Sequence, residues 1–168
     1  MILKKHSKRI VGFAPIADKN SKVLILGSMP GVKALQVREY YGNPQNHFWK
    51  VMTALLGAKA NLSYADKKKL LVKNKIALWD VVFSCQRAGS ADSAMRNIRP
   101  NNFRNFFKKY ANIKMICFNG QTAAKIFQRF NSDIDLPSII LPSTSPAHTI
   151  GFKRKLKGWG KILNGRSF

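Results

Sequence analysis

A chain of 168 residues with 45% hydrophobic composition suffices for one ordinary domain with a core of its own, and nothing in its make-up asks for two. Thirty Lys and Arg stand against seven acids, a formal charge of +23 with an isoelectric point near 10.6, which points to a polyanionic partner and to nucleic acid before an anionic membrane. No apolar run reaches the roughly 18 residues of a membrane span, and two cysteines are too few for a four-cysteine metal site or a disulfide framework.

In chain order, the cationic start from Met1 to Arg9 leads into Gly12, Pro15 and Asp18 instead of a long apolar stretch, so it does not read as a secretory signal. The expected location is the cytoplasm, or the nucleoid in a prokaryote. Residues 1–20 form a basic N-terminal segment of a single domain spanning 1–168. Residues 22–28 (KVLILGS) make a short apolar run that ends in Gly and Ser, the pattern of a buried strand. Helical patterns follow at 47–56 and 64–73. A second apolar run covers 76–82, then a helix at 102–110, a third run at 114–119, a helix at 121–130 and a fourth run at 138–143. The tail 152–168 carries Lys153, Arg154, Lys155, Lys157, Lys161 and Arg166 around Trp159 and reads as a basic closing helix or arm. Cys85 and Cys117 read as buried reduced thiols.

Strands alternating with helices predict an α/β fold, a three-layer sandwich with a central, mostly parallel four-stranded sheet flanked by helices. Ligands of such sheets bind beyond the carboxyl ends of the strands, so the residues directly after each strand carry the functional weight. After the first strand comes GSMPG, in which Gly27, Ser28, Met29 and Pro30 turn the chain sharply and expose backbone N–H groups. Residues 40–49 (YYGNPQNHFW) then crowd aromatics and amides ahead of a helix. Tyr41 and Phe48 suit stacking on an extruded base, and Asn43 or Asn46 suit bonding a base edge or holding a water. Asn46 also sits where an N-cap is expected.

Trp79 and Asp80 close the second strand, and Asp80 is one of few acids in a chain that otherwise avoids them. It is a candidate base-edge acceptor or an electrostatic partner for a cationic sugar, and equally a salt-bridge residue or cap. Asn119 ends the third strand, where it would donate to a purine O6 or simply turn the chain before Gly120. After the fourth strand comes LPSTSPAHT. Ser143, Thr144 and Ser145 offer hydroxyls and amides to phosphate, and Pro146, Ala147 and His148 form a stiff segment able to press on the base stack. A plain surface turn is the competing reading.

Together GSMPG and YYGNPQNHFWKVM resemble motif one of the mismatch-specific branch of the uracil-DNA glycosylase superfamily, and LPSTSPAHT resembles its second motif. The nearer likeness is to the hypoxanthine-DNA glycosylase family, whose WDV, GSxDS and FNG segments have counterparts at 79–81, 89–93 and 118–120. The likeness spans 23–149 and implies a monofunctional enzyme that flips a deaminated base out of DNA and hydrolyses its N-glycosidic bond. It implies no metal and no cofactor, and a monomer is expected. Uracil-removing relatives place an Asp or Asn inside the first turn to position the water. Met29 stands there in this chain and can neither activate nor orient one. In the hypoxanthine family the role is ascribed to an Asn of the aromatic run, which maps to Asn46, with Asn43 its close neighbour. Ser90, Asp92 and Ser93 are secondary candidates for ordering the pocket or touching phosphate. A uracil or thymine mismatch glycosylase on the same fold, and a non-enzymatic nucleic-acid-binding module, are the alternatives.

Overall fold

The computed structural model describes residues 8–166, leaving most of the cationic start and the last two residues outside the description, together with the side chain of Arg166. Its centre is a four-stranded parallel sheet built from β2 (Val23–Gly27), β3 (Ile76–Asp80), β6 (Met115–Asn119) and β7 (Ser138–Leu141). All of β2 and β3 is buried, which is why their sequences are continuous apolar runs without alternation. The strand order is β3-β2-β6-β7. From β2 the chain moves outward to β3, then returns to place β6 on the other side of β2. The order therefore reverses between β2 and β6, and at such a switch point the connections diverge and leave a crevice at the carboxyl ends.

The helices that flank this sheet are α1 (Val32–Val37), α2 (Phe48–Leu55), α3 (Tyr64–Lys73), α4 (Phe103–Lys109), α5 (Gln121–Phe130) and α6 (Phe152–Trp159). Local chemistry fixes several starts: Ser63 accepts from the Asp66 N–H to open α3, and Asn102 accepts from the Asn105 N–H to open α4. One core runs through the assembly. Its aromatic part joins Trp79, Phe103, Phe106 and Phe127 beneath α4 and α5, and Phe48, Trp49 and Trp159 between α2 and α6. Cys85 and Cys117 are free and buried, as the composition implies, and burial pushes the Cys117 thiol up to about 12.

Two features depart from the sequence reading. A second, antiparallel sheet of order β1-β4-β5 is formed by β1 (Arg9–Val11), β4 (Val82–Gln86) and β5 (Arg96–Pro100). Its strands are three to five residues long, and β4 follows β3 with a single residue between them, so one apolar run conceals two strands. The C-terminal segment does form the closing helix expected of it, α6, and departs from the reading only in being anchored by buried residues instead of basic on every face. Lys155 and Trp159 of α6 are buried, the Trp159 indole donates to the Pro142 carbonyl at 2.8 Å and the Lys155 ammonium to the Ser145 carbonyl at 3.0 Å. Lys153, Arg154, Lys157 and Lys161 keep the exposed face.

Candidate active site

The carboxyl ends of β2, β3, β6 and β7 open into one cleft of about 840 Å³, within the range that encloses a nucleoside-sized ligand. Into it converge the turn 27–31, the run 40–46, Asp80, the 90–92 segment, Asn119 and the loop 143–148. Motifs scattered over more than a hundred residues of sequence thus share one space.

The floor lies over Gly27. A Cβ at this position would stand 2.5 Å from Asp80 Oδ1 and 2.7 Å from Tyr41 Oη, so only glycine leaves room for a carboxylate and a phenol to meet above the strand end. Tyr41 reaches this point from a left-handed backbone (φ 53°), a costly conformation for a bulky residue. Its ring stacks on Phe48 at 4.1 Å between centroids, which holds it there.

On the β6 side every polar group of Asn119 has a partner. Its Nδ2 donates to Tyr41 Oη at 3.0 Å and to Thr144 Oγ1 at 2.8 Å, while its Oδ1 accepts the Thr144 N–H at 2.9 Å. That N–H fixes which way the amide points, and both amide protons are consumed. Asn119 therefore has none left for a purine O6, and the donation expected from sequence gives way to a structural role in which the side chain ties Tyr41 to the 143–148 loop. Thr144 is fully buried and committed to the same triad, so its hydroxyl does not face phosphate. The Thr144 carbonyl accepts the His47 N–H at 3.0 Å, joining this loop to the aromatic run.

On the β3 side the balance differs. Asp80 is 4% exposed, and its Oδ2 is buried with no hydrogen-bond partner. Burial, then the nearby charge of Asp92, raise the carboxyl to about 7, with Arg87 pulling the other way. Asp92 accepts from Ser28 Oγ at 2.7 Å and lies 3.8 Å from Arg87 Nη1, while the Arg87 guanidinium also donates to the Pro30 carbonyl. Ser90 Oγ accepts the Val32 N–H at 2.9 Å. The GSADS segment and Arg87 thus pin the GSMPG turn from outside. Sequence reasoning passes over Arg87, because nothing in a lone Arg after a strand signals that it will be buried against a turn 57 residues earlier.

Asn43 and Asn46 both line the cleft. Asn43 Oδ1 accepts the Gln45 N–H at 3.1 Å, and Asn46 Oδ1 accepts the Phe48 N–H at 2.9 Å; the N-cap position of α2 falls on His47, so Asn46 stands one residue before it and closes a local turn where a cap was expected. Each side-chain NH₂ has no protein acceptor among the described residues. Pro146, Ala147 and His148 are exposed at the rim, where a wedge would stand, with Ser143 and Ser145 half-buried behind them.

Three expected pocket residues are placed otherwise. Phe48 is fully buried behind Tyr41 and supports the floor without lining it. Trp79 points away from the cleft, its indole donating to the Phe13 carbonyl at 3.1 Å and its ring packing on Phe106. Met29 lines the cleft through its turn, yet its side chain is buried in a small apolar cluster with Val82, Cys85 and Met95. All three are apolar residues next to functional ones, and packing claimed them. Among the described residues no helix is long and apolar enough to cross a membrane, and no cluster of three or more His, Cys, Asp or Glu is arranged to hold a metal.

Comparison with known proteins agrees with this geometry. A family model for the uracil DNA glycosylase superfamily matches residues 14–163. Hypoxanthine DNA glycosylases of Methanosarcina barkeri and Methanosarcina acetivorans are 31% and 33% identical over 153 residues, covering 90% of this chain and 96% of each relative. A solution NMR structure of a candidate uracil DNA glycosylase from Methanosarcina acetivorans superposes with a TM-score of 0.83 at 30% identity, over 96% of this chain and 100% of that one. With the match running through all four central strands and every cleft segment, the chain belongs to the uracil DNA glycosylase superfamily and is a DNA glycosylase, a hydrolase of N-glycosyl bonds.

Proposed function

We propose that this glycosylase excises hypoxanthine, the deamination product of adenine, from DNA and leaves an abasic site. The observation that carries the reading is the position of Met29. The first turn offers the cleft no polar side chain at the place where uracil-removing relatives keep an Asp or Asn, because the thioether is packed away with Val82, Cys85 and Met95. The amides of Asn43 and Asn46, which line the same cleft with their NH₂ groups unpaired among the described residues, can position a water, and Asn46 is the one the family resemblance favours. The two relatives named as hypoxanthine DNA glycosylases, each aligned over 96% of its length, support the same substrate.

The chemistry suits a neutral amide. As the glycosidic bond breaks, the sugar gains oxocarbenium character and the base departs with the electron pair, so a water needs orientation more than full deprotonation. With Asn46 Oδ1 engaged by the Phe48 N–H, its NH₂ and its second lone pair remain to orient that water. The target base leaves the duplex to reach the cleft. Pro146 to His148 at the rim are placed to fill the stack behind it, and the charge of +23 supplies sequence-independent affinity for the backbone.

The decisive experiment offers the protein duplexes carrying a single deoxyinosine or a single deoxyuridine and follows alkali-labile strand scission. Scission at inosine, exceeding that at uracil, is expected. Scission at uracil alone would transfer the enzyme to the mismatch-specific uracil class. Tight binding without scission of either would leave a base-recognising module.

A further inference from the structure

Within the cleft one group is unexplained by water positioning. Asp80 is a carboxyl at the end of β3, buried, facing the cleft floor, with one oxygen that no protein donor satisfies. An orphaned buried oxygen is a standing cost unless something answers it. The other groups around it answer elsewhere. Asn119 is spent on Tyr41 and Thr144, and Ser28 on Asp92, while Arg87 bonds the Pro30 carbonyl through Nη2 and pairs with Asp92 at 3.8 Å, leaving its Nε and Nη1 without a hydrogen-bond partner and reaching Asp80 with none. Tyr40, Tyr41 and Tyr64 are the remaining titratable neighbours, all with their phenols raised, so they stay neutral and add no second negative charge, and Arg87 is the cation that partly offsets the burial of Asp80.

We propose that Asp80 is the acid that protonates the departing purine at a basic ring nitrogen, N7 or N3, and so makes this site selective for purine release. The inference rests on the hypoxanthine reading and deepens it. The Asp80 O–H gives its proton to the purine nitrogen, the C1′–N9 bond breaks with its electron pair moving into the base, and hypoxanthine leaves neutral. The water held by the amides adds to C1′, its surplus proton passes to solvent, and Asp80 takes up a proton before the next turnover. Uracil has no basic ring nitrogen, so the same acid does nothing for it. The environment agrees. Burial and Asp92 raise the carboxyl to about 7, so that a substantial fraction is still protonated at neutrality, where an ordinary aspartate would be ionised, and a proton donor works best with a pKa close to the working pH.

The test is single-turnover release from a deoxyinosine duplex between pH 5.5 and 9, for the wild type and Asp80→Asn. The wild-type rate is expected to fall about tenfold per pH unit above roughly 7, and Asp80→Asn to be slower by about 10²–10⁴-fold with that limb abolished. A structural role for Asp80 would lower the rate and leave the shape unchanged. A limb that Asp80→Asn retains would belong to the substrate's own N1–H and would overturn the proposal. So would a wild-type profile that is flat across the range, a result that does not depend on the variant folding. Duplexes carrying 7-deaza- and 3-deaza-deoxyinosine provide a second arm: one of them should resist release while still binding, and equal release from both would also overturn it. Failure to release hypoxanthine at any pH would instead sink the substrate reading, and this inference with it.

Discussion

The two sides of the cleft floor are built from the same kinds of residue and finished differently. Around Asn119, both amide protons and the carbonyl oxygen are paired, and the result is a rigid tie between Tyr41 and Thr144. Around Asp80, on the other side of β2, a carboxyl oxygen is buried and unpaired. A satisfied polar network specifies a shape, whereas an unsatisfied one holds free energy in reserve for a ligand. The difference teaches that strand-end polar residues should not be read alike. Asn119 is paired throughout, while Asp80, Asn43 and Asn46 each keep a polar atom without a protein partner among the described residues.

Substitutions can break or sharpen this contrast, beginning with the largest effect. Asn46→Ala removes one of these unpaired amides and is expected to slow base release by about 10²–10³-fold, as loss of a single preorganised polar contact does. It also removes the bond to the Phe48 N–H, costing about 1 kcal/mol of stability. Asn46→Ser keeps an oxygen that can accept the Phe48 N–H and should recover stability without recovering rate. Equal recovery of both would make Asn46 a turn-forming residue only, and Asn43 the water-positioning residue.

Next in size is Gly27→Ala, which strikes both sides at once. Its methyl group would stand against Asp80 Oδ1 and Tyr41 Oη, and the displacement should cost about 1–3 kcal/mol in thermal or denaturant unfolding, with strongly impaired release. Unchanged activity would show that the two oxygens need not be held above the strand end. Smallest in rate is Asn119→Ala. It leaves the buried Thr144 N–H and hydroxyl without a partner and should lower stability by about 1–3 kcal/mol. Release per folded molecule should fall less than for Asn46→Ala. A larger fall would give Asn119 a part in base release beyond its pairing.

Much of this arrangement can be read from sequence, for a physical reason. Buried parallel strands must be continuous apolar runs, so β2, β3, β6 and β7 announce themselves, and the rule that ligands sit beyond their carboxyl ends then selects GSMPG, Asp80, Asn119 and LPSTSPAHT. The short strands β1, β4 and β5 carry too few residues for a period, and Arg9, Arg96 and Arg99 interrupt any apolar pattern within β1 and β5. Side-chain direction is the other blind spot. Pattern places Trp79 beside Asp80 and Phe48 beside His47, but alternate residues of a strand face opposite sides of the sheet, and Trp79 takes the side that Asp80 does not. Pairings across long stretches of chain, such as Arg87 with Pro30, follow from tertiary geometry alone.

The buried thiols have a practical consequence. Cys85 and Cys117 are both sealed in the interior, and burial raises both thiols, so at neutral pH neither presents a thiolate to an alkylating reagent. The native chain is in effect a blank background for labelling. A single cysteine introduced at exposed Ala147, on the rim of the cleft, could carry an environment-sensitive fluorophore without removing either native residue. Its emission would report, in real time, any change in the surroundings of that rim segment when DNA binds and when it is released.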